Sequence, residues 1–335
     1  MNPRMSVIVI TPDDWTNMRR TLAALRAQTV AADLEVVLVA PNHAALDLPP
    51  SLVAPFAAVR KVIFEQPSRG HATAQGVRGA TTDLILLTED HCFPMPDMVA
   101  AMLACFEDPD LIAVGPTVIN GNPRSLTSWT QFIMEYGIYS RAGTKGQTRQ
   151  IPGHNGAYRR SSLLHYARTL DEHLEVETLM HWDMADRGLK LINAGAPMTR
   201  HFNTSKASAC LWFSWVFPRT FAARRVALQP GDRAKLALLW PLIPILRFRR
   251  LWPVAFRLLG LRRALTLIPS LFANLVVSGA SEGRGYLTKI GVSRVVAFDL
   301  EFHRERFFAD GDALPEPDEL SDTAPTNSCT VAKTV

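Results

Sequence analysis

Three residues that can bind a metal or move a proton directly follow an apolar run. Residues 81–94 read TTDLILLTEDHCFP, and Leu84–Leu87 within them has the composition of a buried strand. Glu89, Asp90 and His91 come next. Carboxylates and imidazole can hold Mn²⁺, and carboxylates also suit Mg²⁺. Such an ion stabilises the negative charge that grows on a leaving diphosphate.

The first 205 residues predict an α/β domain that would place this triplet at a sheet edge. Strand-like runs at residues 5–11, 34–40 and 59–66 are separated from Leu84–Leu87 and from each other by segments that include helical patterns such as MRRTLAALRAQT and GHATAQGVRGATT. This order is typical of a largely parallel sheet flanked by helices. Ligands of such sheets bind beyond the carboxyl ends of the strands, where the triplet is expected.

Glycine-rich phosphate loops are missing from the sequence. There is no GxxxxGK[ST] motif, and no GxGxxG follows the first strand. The charge of a bound diphosphate would therefore be neutralised by a cation that carboxylates hold. The four cysteines have no CxxC spacing, which argues against a zinc site or a disulfide framework and favours a reducing, cytosolic environment. The N-terminal residues do not have the pattern of a secretory signal.

The later part of the domain offers further candidate elements. Residues 121–150 are predicted to be irregular and to form a loop over the site. The segment GHNGAYRRSSL is predicted to turn at Gly153 and Gly156 into a helix. A second helix is expected to close near Gly188, with a strand after it.

The basic charge of the chain is concentrated in one segment. The net charge is +5, yet residues 218–263 carry eleven Lys and Arg against a single acid, Asp232. Leu, Trp, Phe and Ile are interleaved with these cations, a combination that favours an anionic lipid surface over nucleic acid. Apolar stretches at 236–246 and 264–280 are shorter or more interrupted than a clean membrane span. We therefore expect interfacial or re-entrant helices, and a disordered tail at 311–335.

Taken together, residues 5–205 resemble the family 2 glycosyltransferases. The resemblance rests on the order and spacing of SVIVIT, MRRTLAALRAQT, LEVVLVA, GHATAQGVRGATTDLILLTEDHCFP and GHNGAYRRSSL. It implies a GT-A fold (Rossmann-like, with a mostly parallel sheet) and transfer of a sugar from a nucleotide-diphosphate donor, usually with inversion. It also implies a divalent metal, Mn²⁺ or Mg²⁺.

The resemblance assigns roles to individual residues. Donor binding falls on Thr11, Pro12, Asp13, Asn42, Arg69, Glu89 and Asp90. The metal motif falls on Glu89, Asp90 and His91, and His201 matches a position near the metal or diphosphate in related enzymes. The acceptor-side segment falls on Gly153, His154 and Asn155, followed by the arginine pair Arg159 and Arg160.

The catalytic base that the resemblance implies falls on Glu177, counted back from Gly188, and Glu175 is the alternative. A carboxylate there would remove the proton from the acceptor hydroxyl as its oxygen attacks the anomeric carbon. Three positions depart from the family pattern. Ala40-Pro41-Asn42 replaces the segment with a base-reading Asp, His91 replaces the final Asp of the metal motif, and Asp183 stands where Arg is frequent.

These observations lead to one main interpretation and two alternatives. The main interpretation is a GT-A domain at 1–205, followed by a basic, apolar, membrane-associated helical region at 206–300. It would transfer sugar to a lipid-linked or polymer acceptor at the cytoplasmic face of the cell membrane, as a peripheral or re-entrant protein with no nucleic-acid partner. A nucleotidyltransferase would need a basic, glycine-rich phosphate loop after the first strand, where the acidic segment TPDDWTN stands instead. A catalytically inactive binding or scaffold protein would fit the substitutions at Ala40 and His91.

Overall fold

The computed structural model describes residues 2–229 and 231–321, and these contain a central sheet of nine strands. The strands are β1 Met5–Ile10, β2 Leu34–Ala40, β3 Ala58–Ile63, β4 Leu84–Leu87, β5 Cys92–Pro94, β6 Leu111–Asn120, β7 Gly146–Gln147, β8 Ala157–Arg159 and β9 Lys190–His201. Their order across the sheet is β3-β2-β1-β4-β8-β6-β9-β5, with β7 also beside β9.

The helices of the described residues fall into two groups along the chain. Those within the sheet region are α1 Arg19–Arg26, α2 Arg69–Gly79, α3 Met98–Cys105, α4 Leu126–Glu135, α5 Arg160–Leu164, α6 Leu170–Glu175 and α7 Glu177–Asp186. Those that follow it are α8 Ala207–Leu228, α9 Arg233–Leu238, α10 Leu242–Leu287, α11 Ser293–Phe302 and α12 Pro317–Ser321.

The first four strands run parallel and place the triplet of residues 89–91 beside the end of β1. Every residue of β1 and β2 is buried, because both strands are covered on their two faces by helices. One core cluster joins the sheet to α1 and α3, and the other joins it to α2, α6 and α7. Strand β1 pairs with β2 on one side and with β4 on the other, and the chain crosses back over β1 between β3 and β4. The carboxyl ends of β1 and β4 therefore flank a topological switch point.

The second half of the sheet brings distant segments to the same edge. Strand β8 runs antiparallel between β4 and β6, and β5 pairs antiparallel with β9. In the latter pair Cys92 lies opposite His201. The pairing therefore brings residues near position 92 into contact with residues near position 201.

The prediction of an irregular loop over residues 121–150 is wrong for Leu126–Glu135, which forms α4. The side chain of Ser125 accepts a hydrogen bond from the backbone N–H of Ser128 at 3.0 Å and so caps the helix. Phe132 and Ile133 then pack against α10. The helix is stabilised by this tertiary contact, which local patterning alone does not indicate.

Helix α10 is bent back on itself at Gly260, whose φ of 70° and ψ of 166° are not helical. Its two halves pack together through Leu251, Leu267 and Leu271. Length and composition make α10 the one helix of the described residues that could cross a membrane, with a mean hydropathy of 1.5 over 18 residues, 44% of which are buried. The predicted stretch at 264–280 lies in its second half.

After α11 the chain returns to the sheet. Phe308, Leu314 and Leu320 pack against Phe93 of β5 and Phe202, which follows β9. Residues 311–321 of the expected disordered tail thus include buried side chains and α12. Residues 322–335 of that tail lie outside the described residues.

Candidate functional site

Four residues with metal-binding side chains meet at the edge of the sheet: Glu89, His91, His154 and His201. Glu89 and His91 follow β4, His154 lies in the turn before β8, and His201 ends β9. All four are buried. The ring of Tyr136 packs against the imidazoles of His154 and His201, with centroid distances of 4.5 and 4.0 Å.

Two overlapping groups in this cluster have the spacing of metal ligands, and Glu89 belongs to both. One ligand atom each from Glu89, His154 and His201 lies within 4.8 Å of the others, and the same holds for Glu89, His91 and Glu301. Oε2 of Glu89 and Nε2 of His154 and of His201 have no hydrogen-bond partner among the described residues. Buried polar atoms normally have partners, so the first group fits a divalent ion.

Burial keeps the histidines of the cluster neutral, as metal ligands must be. It lowers the pKa of His154 to about 3, with Arg69 and Arg304 adding to the effect. It also lowers the pKa of His201 well below the usual value. The Nδ1 of His201 lies 3.0 Å from Oδ1 of Asn203. This contact fixes the ring and leaves Nε2 available as a ligand.

Burial also raises the pKa of Glu89 well above its usual value, and the charge of Glu301 acts in the same direction. Two adjacent carboxylates without a cation favour protonation of one of them. A divalent ion would remove this cost, because it replaces the proton between the two groups.

Asp90 does not face this group directly. Its Oδ1 lies 2.8 Å from Nδ1 of His91, and its side chain lines a separate small cavity with Arg20 and Arg304. Nε2 of His91 accepts a hydrogen bond from Arg304 at 2.9 Å, since a guanidinium can only donate. His91 therefore carries its proton on Nδ1 and donates it to Asp90.

Asn155 holds the turn that carries His154. Its φ of 46° lies in the left-handed region. Its Nδ2 donates to the carbonyl oxygen of Cys92 at 3.1 Å and to Oγ1 of Thr199 at 2.8 Å. These contacts tie the turn to β5 and β9. The structure thus places Asn155 inside the protein and not in the cleft.

Replacing Asn155 with Ala is expected to lower the free energy of unfolding by about 2–4 kcal/mol. The loss combines the left-handed backbone, which Ala tolerates poorly, with buried partners left without a hydrogen bond. Asn155→Gly removes the first cost and should destabilise less. Chemical denaturation of the three proteins measures the difference, and equal midpoints would contradict this account of the turn.

We call Glu89, His154 and His201 the metal-type group. A cavity of about 260 Å³ connects this group to a second carboxylate. It is lined by Glu89, His154, Gly153, Glu177 and Arg69, among others. Glu177 begins α7 and is bound by the guanidinium of Arg69, whose Nη2 lies 2.9 Å from Oε2. A Cβ on Gly153 would come within 2.8 Å of the Glu177 carboxylate. Glycine at 153 thus lets the turn approach Glu177 closely.

Glu175, the alternative base, is held away from this cavity by Arg224, whose Nε lies 2.5 Å from Oε2. It lines a larger cavity of about 490 Å³, which Glu177 and Arg69 share. Other walls of this larger cavity come from α4, α8 and α10, with Phe217, Phe221 and Leu275 among them. Of the two candidate bases, Glu177 is therefore the one that lines both cavities.

Residues 6–166 match the family model described as glycosyl transferase family 2. The chain carries a family 2 glycosyltransferase domain. The predicted family, the GT-A fold class and the class of enzyme are thereby confirmed. No curated protein sequence matches the chain significantly.

The chain is similar to solved structures to different extents. A mannosyltransferase from Pyrobaculum calidifontis, in complex with GDP-Man and Mn²⁺, is 18% identical, with a TM-score of 0.52 over 84% of this chain and 87% of that one. The S. aureus TarS 1–349 structure in complex with UDP is 12% identical, with a TM-score of 0.39 over 82% of this chain and 90% of that one. The fold assignment rests on the first of these.

The residues predicted to bind the donor nucleotide surround the end of β1. Thr11 is buried and its hydroxyl donates to the carbonyl of Asp14 at 2.5 Å. Pro12 is half-buried, and the exposed Asp13 contacts Nε2 of His303 at 2.9 Å. Asn42 is exposed and caps a turn by accepting from the N–H of Ala45. His303, which follows α11, thus contacts the glycosyltransferase domain at this edge of the sheet.

Some predicted site residues lie elsewhere. Arg159 donates to the backbone carbonyls of Phe106, Asp108 and Leu111, and Arg160 donates to those of Val77 and Arg78. Both arginines therefore brace elements behind the sheet edge. His154, expected on the acceptor side, lies in the metal-type group beside Glu89.

The sequence did not single out Glu135, Tyr136 and Glu301, which line the smaller cavity, or Arg304, which contacts Glu301 and His91. Burial raises the pKa of Glu135 to about 7, and this residue lines both cavities beside Glu177. It was assigned to an irregular loop. The signal that could have found it is the cap Ser125 followed by an amphipathic helix that ends in Glu-Tyr.

Proposed function

We propose that this family 2 glycosyltransferase moves a sugar, with inversion, from a nucleotide-diphosphate donor to a lipid-linked acceptor at the cytoplasmic face of a membrane. A polymer acceptor is the alternative. One observation carries the proposal: Glu89 and His154 of the metal-type group line the same cavity as Glu177. The cavity offers charge neutralisation for a diphosphate at one end and a proton acceptor at the other.

Glu89, His154 and His201 would hold the divalent ion. A bound ion supplies Lewis-acid charge that stabilises the leaving diphosphate. A carboxylate with two imidazoles suits Mn²⁺ better than Mg²⁺, which prefers oxygen ligands. The similarity in fold to a mannosyltransferase bound to GDP-Man and Mn²⁺ supports the choice of a nucleotide-sugar donor and of Mn²⁺.

Glu177 would act as the general base. Its carboxylate accepts the proton of the acceptor hydroxyl while that oxygen forms a bond to the anomeric carbon. The bond between the anomeric carbon and the diphosphate oxygen breaks on the opposite face, which inverts the configuration. Arg69 orients Glu177 through two hydrogen bonds, and the same guanidinium lies near enough to Glu89 to affect its pKa.

The larger cavity combines charged and apolar walls, as a site for a lipid-linked phosphate would. Arg225 and Arg250 contribute positive charge, Arg247 is paired with Glu282, and Trp182 and Phe221 contribute apolar surface. Glutamates, Glu175 and Glu177 among them, also line it. Because α10 forms one wall, a lipid could enter from the membrane side and present its head group to Glu177. An acceptor that joins a phosphate to an acyl or prenyl chain would use both kinds of wall.

The exposed surface of α10 supports membrane association. Its outward apolar side chains are interleaved with exposed arginines, as in helices that lie at a lipid surface. The exposed apolar residues of α10 are Leu242, Ile245, Leu246, Phe256, Leu261, Leu265, Phe272 and Leu287. The exposed arginines near the bend are Arg249, Arg250, Arg257, Arg262 and Arg263.

Neutralising Arg257, Arg262 and Arg263 with Gln is expected to weaken binding to vesicles that contain anionic phospholipid by about 100-fold. Each basic residue near such a surface contributes about 1 kcal/mol. Flotation of the full chain with phosphatidylserine vesicles measures the effect. The control neutralises three exposed arginines that precede α8, Arg26, Arg124 and Arg168, and should bind like the wild type. Equal loss in both variants would contradict the assignment of this surface.

The reaction itself is tested with a panel of nucleotide-sugars and Mn²⁺. Release of a nucleoside diphosphate supports glycosyl transfer, and its dependence on added lipid identifies the acceptor class. Release of pyrophosphate from a nucleoside triphosphate and sugar phosphate would instead indicate nucleotidyl transfer. Silence across the panel, with and without membranes, would indicate a binding protein that has kept the fold.

A further inference from the structure

A segment from the far end of the chain enters the candidate site. It consists of the last residues of α11 and the turn that follows, and it carries Glu301 and Arg304. Both side chains are buried, Arg304 to within 1% of complete burial. Phe298 and Phe302 of α11 anchor the segment in the core cluster of α2, α6 and α7. The segment is therefore packed in place and is not a loose tail.

Two nitrogen atoms of the Arg304 guanidinium have no hydrogen-bond acceptor among the described residues. Its Nη2 donates to Oε2 of Glu301 at 3.1 Å and to Nε2 of His91 at 2.9 Å. Its guanidinium also lies 4.5 Å from the ring centroid of Phe213. Nε and Nη1 are buried and have no acceptor among the described residues. Leaving a buried charged donor unsatisfied costs several kcal/mol, which an anion at this place would recover.

Glu301 belongs to a buried group of side chains that would bind a cation. Its carboxylate, that of Glu89 and the imidazole of His91 lie within 4.8 Å of one another. Arg304 donates hydrogen bonds to both Glu301 and His91 of this group. Two buried carboxylates and a cation with free donors form an arrangement that a metal–diphosphate pair would satisfy on both sides.

We propose that Glu301 and Arg304 complete the donor site of this glycosyltransferase. Glu301 faces the divalent ion together with Glu89, and Arg304 binds the diphosphate oxygens of the donor through Nε and Nη1. This inference rests on the proposed function. A planar guanidinium can bind two phosphate oxygens at once. The residues of the donor site would thus come from both ends of the chain.

The test is calorimetric titration of the purified full chain, first with Mn²⁺ and then with GDP, UDP, GMP and UMP at saturating Mn²⁺. Arg304→Met is expected to weaken nucleoside diphosphate binding by about 10- to 100-fold and to leave monophosphate binding nearly unchanged. Glu301→Gln is expected to weaken Mn²⁺ binding by about 10- to 100-fold. Arg304→Lys should recover part of the diphosphate preference, because it restores the charge without the planar fork.

The matched control is Arg306→Met, two residues along the same turn. Arg306 is exposed and paired with Asp299, so its removal should leave all affinities unchanged. A wild-type preference for diphosphate over monophosphate in both Arg304 variants would overturn the inference and leave the proposed function standing. If Arg304→Met fails to fold, Arg304→Lys decides alone. Failure of the wild type to bind any nucleoside diphosphate would overturn the proposed function as well.

Discussion

Glu177→Gln is expected to lower the rate of sugar transfer by about 10²- to 10⁴-fold, the usual contribution of a general base. The amide keeps the size of the side chain and can still contact Arg69, but it cannot accept the proton of the acceptor hydroxyl. Binding of the nucleoside diphosphate should change little, because Glu177 belongs to neither group of candidate metal ligands. Release of nucleoside diphosphate in the presence of acceptor measures the rate.

Two further variants make this result decisive. Asp186→Asn, at the exposed end of α7, should behave like the wild type. Glu135→Gln tests the neighbouring carboxylate, whose pKa is raised to about 7 by burial. If Glu135 were the base, the rate would fall as the pH drops below about 7, since the protonated form cannot accept a proton. Loss of activity in Glu135→Gln with activity retained in Glu177→Gln would contradict our assignment.

Glu89→Gln is expected to abolish Mn²⁺ binding within the measurable range and to remove transfer activity. Glu89 is the carboxylate common to both groups of candidate ligands, and an amide supplies no negative charge to a divalent ion. A chelator should have the same effect on the wild type, with activity restored by Mn²⁺ more fully than by Mg²⁺. Electron paramagnetic resonance of bound Mn²⁺ gives a readout that is independent of activity.

A graded variant separates ligand loss from unfolding. Asn203→Ala removes the partner of His201 Nδ1 but keeps every candidate ligand, so Mn²⁺ affinity should fall by only about 10- to 100-fold. If Asn203→Ala and Glu89→Gln lose Mn²⁺ equally, or if the wild type retains full activity in chelator, then these residues do not hold a catalytic ion.

Local sequence patterns were enough to predict the parallel strands whose carboxyl ends lie at the site. Apolar, β-branched runs gave β1 and β2 almost to the residue, because strands buried on both faces require such runs. The position of Glu89 at the end of β4 followed from the same pattern. The turn at Gly153 and the end of a helix near Gly188 were also predicted from residues close in sequence.

Contacts between distant segments could not be predicted in this way. His154 lies beside Glu89 because β8 inserts antiparallel next to β4, and His201 joins them because β5 pairs with β9. Sequence order indicates neither pairing. Arg304 is more than 200 residues from His91 and reaches it only because α11 packs on the sheet domain. Its type and local sequence resemble those of the exposed Arg306 nearby.

The return of the chain to the sheet after α11 has a practical consequence for anyone who wishes to crystallise a soluble fragment. Truncation at residue 205 would remove the apolar helices, but it would also remove Phe308, Leu314 and Leu320, which cover Phe93 and Phe202. The truncated fragment would expose this apolar surface to water and aggregate. A better strategy shortens only the bend around Gly260 and keeps residues 293–321 attached.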